Sequence, residues 1–197
     1  MPGVDGTESF VRMAVRRRLQ PDCGKAFEIQ EAERYRALQE RGLPVIPFWH
    51  LHQETGEVIA TDLKRGGECA VLSFLNEGGE TLESLRVLGT RVAQADDQWV
   101  DDLGLLAGRC SDAGVYVINP EAVYFIVDRS TGAIEILLGD YKHVDVPSSM
   151  GKDTLFIANF SNILTAAQCF AGNVGIDIEK VTNRIWRYHR LPTKEQA

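Results

Sequence analysis

The segment Gly114 to Asp140, GVYVINPEAVYFIVDRSTGAIEILLGD, constrains this chain more than any other. Asn119-Pro120 initiates a turn before an apolar run, Val123 to Val127. Turn residues follow from Asp128 to Gly132, and a second run spans Ile134 to Leu138 before Gly139-Asp140. Two short β-rich runs around a tight turn predict a hairpin. The acidic residue just past the second run then lies at the rim of a sheet.

The rest of the chain supplies helices and more short strands. A helix is expected from about Gly24 to Arg41, stopped by Gly42 with Pro44 beyond. Its apolar stripe, Phe27, Tyr35 and Leu38, carries Glu31 on the same face, where a carboxylate is costly to bury without a partner. Strands are expected over Val11–Val15, Val45–Leu51, Glu57–Asp62 and Cys69–Leu75, with Gln53 to Gly56 as a hairpin loop. From Thr81 the period becomes helical: Leu82, Leu85, Leu88 and Val92, then Trp99, Leu103, Leu106 and Cys110 after Asp96-Asp97. Further helices are expected over Leu155–Ala171 and about Asp177–His189. Strands cluster instead of alternating with helices, which predicts an α+β fold. No internal repeat is visible.

With 197 residues and 44% apolar content, the chain can bury one good core shared by two small lobes. The net charge of −7 argues against general nucleic-acid coating. No apolar run approaches the roughly eighteen residues of a membrane span, and residues 1–18 lack a signal-peptide core. Cys23, Cys69, Cys110 and Cys169 stand alone, offering neither a metal knuckle nor a disulfide framework. They read as reduced thiols of a cytoplasmic protein.

The Gly114–Asp140 layout resembles the catalytic loop and metal-binding segment of the protein-kinase-like fold, as in compact bacterial kinases and aminoglycoside phosphotransferases. Asn119 falls at the family's catalytic-base position, Tyr124 at its metal-binding Asn, and Asp140-Tyr141-Lys142 at its Asp-Phe-Gly. Met13-Ala14-Val15-Arg16 resembles the strand that ends in the phosphate-binding Lys, and Glu31 resembles the helix Glu that orients that cation. Thr61-Asp62-Leu63 resembles the segment crossing between lobes.

The resemblance implies a two-lobed domain over 1–197: a small antiparallel sheet lobe with one helix over 1–62, and a mainly helical lobe over 63–197 carrying the 117–140 hairpin. It implies ATP and Mg2+ as cofactors, with Arg16 and Glu31 on the nucleotide and Asp140 on the metal. The motifs are degenerate. Asn119 cannot act as a base, Tyr124 is no carboxamide, and the fork of Arg16 does not replace an ammonium. The implied protein is a pseudokinase or atypical phosphotransferase, with Lys142 and Asp145 as candidates for rebuilt roles.

Plainer uses exist for the same residues. Glu31 could pair with a neighbouring Arg, Asp140 could cap a turn, Arg16 could belong to a surface basic patch, and Asn119 could only start a turn. His50 and His52 share one strand face without an evident third ligand. The alternative function is a protein-interaction module that binds no nucleotide. It would present the acidic stretch Glu77–Asp102, or the basic stretch Lys180–Lys194 with its five cations, to a protein partner.

Overall fold

The computed structural model describes residues 17–18, 24–52, 57–74 and 79–189. The expected strand Val11–Val15, Arg16, Cys23 and the Gln53–Gly56 loop lie outside them. Chain order is β1 (Arg17–Arg18), α1 (Gly24–Glu40), β2 (Trp49–His52), β3 (Glu57–Ala60), β4 (Cys69–Leu72), α2 (Leu82–Gln94), α3 (Gln98–Asp112), β5 (Tyr116–Val117), β6 (Val123–Asp128), β7 (Ile134–Leu138), β8 (Val144–Asp145), α4 (Lys152–Val174) and α5 (Ile178–Ile185). The fold is α+β with small antiparallel sheets, as the clustering of strands predicts.

Among the described residues three sheets form, ordered β1-β3-β2, β4-β6-β7 and β5-β8. The first alternates buried Trp49 and Leu51 with exposed His50 and His52, so the two imidazoles face solvent. In the second, β6 is central and pairs with β4 (Leu72 opposite Phe125) and with β7 (Phe125 opposite Ile136). Its alternation gives each face a different task. Val123, Phe125 and Val127 enter the main core, whereas Ile126 packs with Cys69 and Leu137 on the opposite face.

The helices cover the first of those faces. Phe125 stacks on Phe170 of α4 at 4.3 Å between ring centroids, and Trp99 of α3 meets both rings edge-on. Gly89 of α2 is required by close approach, because a Cβ there would lie 1.8 Å from the Val174 carbonyl oxygen. By length and composition α4, at 23 residues, is apolar enough to cross a membrane, although no unbroken apolar run marks it in the sequence. In this fold half of its most apolar window is buried, and it is the central helix of the core.

One polar side chain lies at full depth in that helix. Asn159 is 0% exposed. Its Oδ1 accepts from the Val117 N–H at 2.8 Å, and its Nδ2 donates to the Val115 carbonyl at 2.8 Å and to Ser111 Oγ at 3.1 Å. One turn on, Asn162 Nδ2 donates to the Val117 carbonyl at 2.7 Å. The two-residue strand β5 is thus held by side chains of α4 on one side and by β8 on the other.

At the far end α5 closes onto α3. Arg184 grips Asp101 through Nε at 2.8 Å and through a second, shorter contact, and it also pairs with Asp97. The Arg184 hydrogen bonds hold both carboxyls below their usual range.

Two outcomes are expected. Asn159→Leu leaves the Val117 N–H and Val115 carbonyl buried without partners and destabilises the protein by about 2–3 kcal/mol in urea unfolding. Arg184→Gln costs about 1 kcal/mol at neutral pH. Because Asp97 and Asp101 titrate lower in the folded state, the contribution of this clamp is complete above their ordinary pKa of about 3.9. It is lost as the pH falls through the lowered values, so the wild-type and Arg184→Gln stability curves converge in acid.

Candidate functional site

A cavity of about 270 Å³ lies between the two larger sheets. Its floor is the face of β4-β6-β7 turned away from the helices, through Val71 and Tyr124. Its opposite wall is Trp49, Val58 and Ala60 of β2 and β3, and Glu31 enters from α1. The connection Thr61–Lys64 borders one side, and Gly139, Asp140 and Tyr141 border another. Glu31 and Asp140, more than a hundred residues apart in sequence, therefore line one cavity. Arg16 lies outside the described residues.

Local chemistry explains why these elements meet here. Tyr141, 1% exposed, packs against Tyr35 of α1 at 5.3 Å and edge-on against Trp49 of β2 at 5.6 Å. Its hydroxyl accepts from the Ile46 N–H at 3.2 Å, and Tyr35 donates to the Ile46 carbonyl at 3.2 Å. Burial pushes the Tyr141 hydroxyl well above the usual phenol range, so it remains a neutral hydrogen-bonding group. Arg34 of α1 reaches the Tyr141 and Lys142 carbonyls at 3.4 and 3.3 Å. The residue just past Asp140 thus pins α1 to the hairpin. Tyr124 lies over Gly139, where a Cβ would come within 2.3 Å of the ring, so a residue without a side chain is needed beside Asp140.

On the outer side of Asp140 two short turns face each other. The first is Pro120–Ala122, capped by Asn119, whose Oδ1 accepts from the Glu121 N–H at 3.0 Å. The Asn119 carboxamide therefore does the work of a turn cap. The second turn is Tyr141–His143. Between them, Glu121 Oε2 lies 2.9 Å from His143 Nε2, and Asp140 Oδ2 lies 3.9 Å from the same nitrogen. Lys142 Nζ approaches Asp140 Oδ2 at 3.0 Å. Asp145, on β8, is half-buried beyond this group.

The structure therefore brings Asp140 and Glu31 to one cavity and places Asn119 in the adjoining turn. Tyr124 is a wall of the cavity rather than a metal ligand. For a divalent cation the oxygens within reach are those of Asp140 and Glu121, with the His143 imidazole beside them. Sequence reasoning passed over Glu121 and His143. The available signals were the position of Glu121 in the Asn119 turn and the i, i+3 spacing of His143 from Asp140.

No family model matches this chain. A search of curated proteins finds no match either.

Two substitutions test this construction. Tyr141→Phe leaves the buried Ile46 N–H without its acceptor and costs about 1–3 kcal/mol in chemical unfolding. Gly139→Ala drives its new methyl into the Tyr124 ring and costs a similar ~1–3 kcal/mol.

Proposed function

We propose that the cavity between the two sheets binds a nucleotide, with a divalent cation at Asp140, in a protein-kinase-like domain whose catalytic motifs are degenerate. The observation that carries this reading is the convergence of Glu31 and Asp140 on one half-open, largely apolar cavity beside the Thr61–Lys64 connection. An aromatic base fits such a space: Val58, Ala60 and Val71 supply apolar walls, and charged groups stand only toward Glu31, Asp140 and the connection. At about 270 Å³ the cavity suits a base and sugar, with the phosphates directed past Asp140.

The order of elements supports the same reading. A helix-bearing sheet comes first, then a connecting segment, strand β4, two helices, the short strand β5, the β6-β7 hairpin and the Asp140 turn. Mg2+ would be held by the Asp140 carboxylate, and it would neutralise phosphate charge. Asn119, engaged as a cap, has no proton-accepting group to offer. A pseudokinase, or an atypical transferase using another base, accords with that arrangement better than an efficient kinase.

The interaction-module reading draws less support. Asp97 and Asp101, from its acidic stretch, are paired with Arg184 and Lys180, from its basic stretch. Both candidate docking surfaces spend part of their charge on each other.

Thermal-shift titrations with ATP and ADP, with and without Mg2+, test the proposal. A saturable rise in Tm, amounting to about 2.7 kcal/mol of stabilisation at a hundredfold excess over Kd, is expected. Val71→Trp, which fills the cavity, abolishes the rise altogether. Asp140→Ala abolishes only its magnesium-dependent part. An unchanged Tm at millimolar nucleotide sinks the reading.

A further inference from the structure

The two turns that meet beside the cavity add to Asp140 two donors, Glu121 and His143, that nucleotide-bound magnesium does not need. We propose that Glu121, Asp140 and His143 form a binding site for a first-row transition-metal dication such as Zn2+. This goes beyond the nucleotide reading and does not require it.

Geometry comes first. One ligand atom from each of the three residues falls within 4.8 Å of the others. The imidazole nitrogen lies 2.9 Å from Glu121 Oε2 and 3.9 Å from Asp140 Oδ2. With Zn–N and Zn–O bonds of about 2.0–2.2 Å, two ligands of one ion can stand no more than ~4.4 Å apart. Both measured separations already meet that limit, and small side-chain rotations bring in the third.

A second observation points the same way. His143 Nε2 is buried, yet it has no hydrogen-bond partner. The Glu121 carboxylate stands 2.9 Å away without making a hydrogen bond to it. A buried polar atom left in this way is costly in a folded protein. In the tautomer with its proton on Nδ1, this nitrogen presents a lone pair beside the two carboxylates, and a cation would satisfy it.

The frame is preorganised. Asn119 fixes the Glu121 turn, and the His143 N–H donates to the Asp140 carbonyl at 3.2 Å. The Ile118 N–H donates to the His143 carbonyl at 2.9 Å, which ties the two turns together beside the β5-β8 pair. The side chains of Glu121, Asp140 and His143 remain 25%, 16% and 23% exposed, so an ion has a route in and water can complete its shell. Lys142, paired with Asp140 Oδ2, must yield that oxygen or leave the ion the other one.

Ligand chemistry selects the metal. Mg2+ takes oxygen donors and is poorly served by imidazole, whereas one imidazole with two carboxylates suits Zn2+ and its neighbours. Three protein ligands also leave an open coordination position, the arrangement found where zinc binds an exchangeable group.

The test is calorimetric titration of the full chain, without nucleotide, with ZnCl2 and separately with MgCl2. It is repeated on His143→Asn and Glu121→Gln, each checked for folding by circular dichroism. One Zn2+ per chain is expected, bound at least tenfold tighter than Mg2+. Either substitution weakens Zn2+ by about 10- to 100-fold or more, since loss of even an outer-shell partner costs that much. Cobalt(II) substitution gives visible absorption bands that His143→Asn shifts or removes.

Absence of Zn2+ binding, or Mg2+ binding as tight as Zn2+, overturns the proposal. So does Zn2+ binding that both substitutions leave unchanged, which would place the ion at His50 and His52 or at a thiol. Should His143→Asn fail to fold, Glu121→Gln alone decides. Because Val71→Trp blocks the cavity without touching these ligands, zinc binding that survives in that variant separates this site from the nucleotide site.

Discussion

The Asn159 carboxamide is the constraint on which the rest of this structure depends. A strand of two residues has too few ladder hydrogen bonds to hold itself in place. Asn159 supplies an acceptor for the Val117 N–H and a donor for the Val115 carbonyl from inside the core. Asn162 continues the task one turn later. With β5 fixed, its partner β8 is fixed too, and the turns at Asn119 and Asp140 leave that pair at set positions. A polar group at such depth is tolerated only when its bonding is satisfied, and this one makes three bonds.

A division of labour between the faces of β6 follows. Period-two alternation sends Phe125 into the aromatic stack with Phe170 and Trp99, and it sends Tyr124 to the cavity. The helical side supplies stability, and the opposite side is left with a hollow. Tyr141 bridges from that hollow to α1 and β2, so the cavity wall and the packing of α1 are one construction. A change at either is felt at the other.

Much of this was legible in the sequence. The helix containing Tyr35 and Leu38, the break at Asp96-Asp97 and the Val123–Leu138 hairpin all announce themselves through strong periodicity or turn chemistry. So does the α+β class. Glu31, read on the apolar stripe of its helix, is half-buried beside Ala32, Tyr35 and Leu38 and lines the cavity. What escaped was non-local. Nothing in the run Gly114 to Val117 shows that it is held by a carboxamide more than forty residues on. The meeting of Glu121 with His143 depends on a ladder of two residues, too short to leave any periodic trace. Asn119 reads both as a degenerate base position and as a turn initiator before Pro120, and its bond to the Glu121 N–H is that of a turn cap.

The Arg184 clamp has an effect outside the fold. With Arg184 and Lys180 set against Asp97 and Asp101, charges of both signs cancel at close range where α5 meets α3. A molecule approaching that end meets dipoles of short range instead of a field reaching a full Debye length of about 8–10 Å. Long-range steering toward that end is therefore weak, and encounters there are governed by shape and diffusion. The unbalanced share of the net charge of −7 must project from other parts of the surface, where it sets which ligands are drawn in and which are repelled.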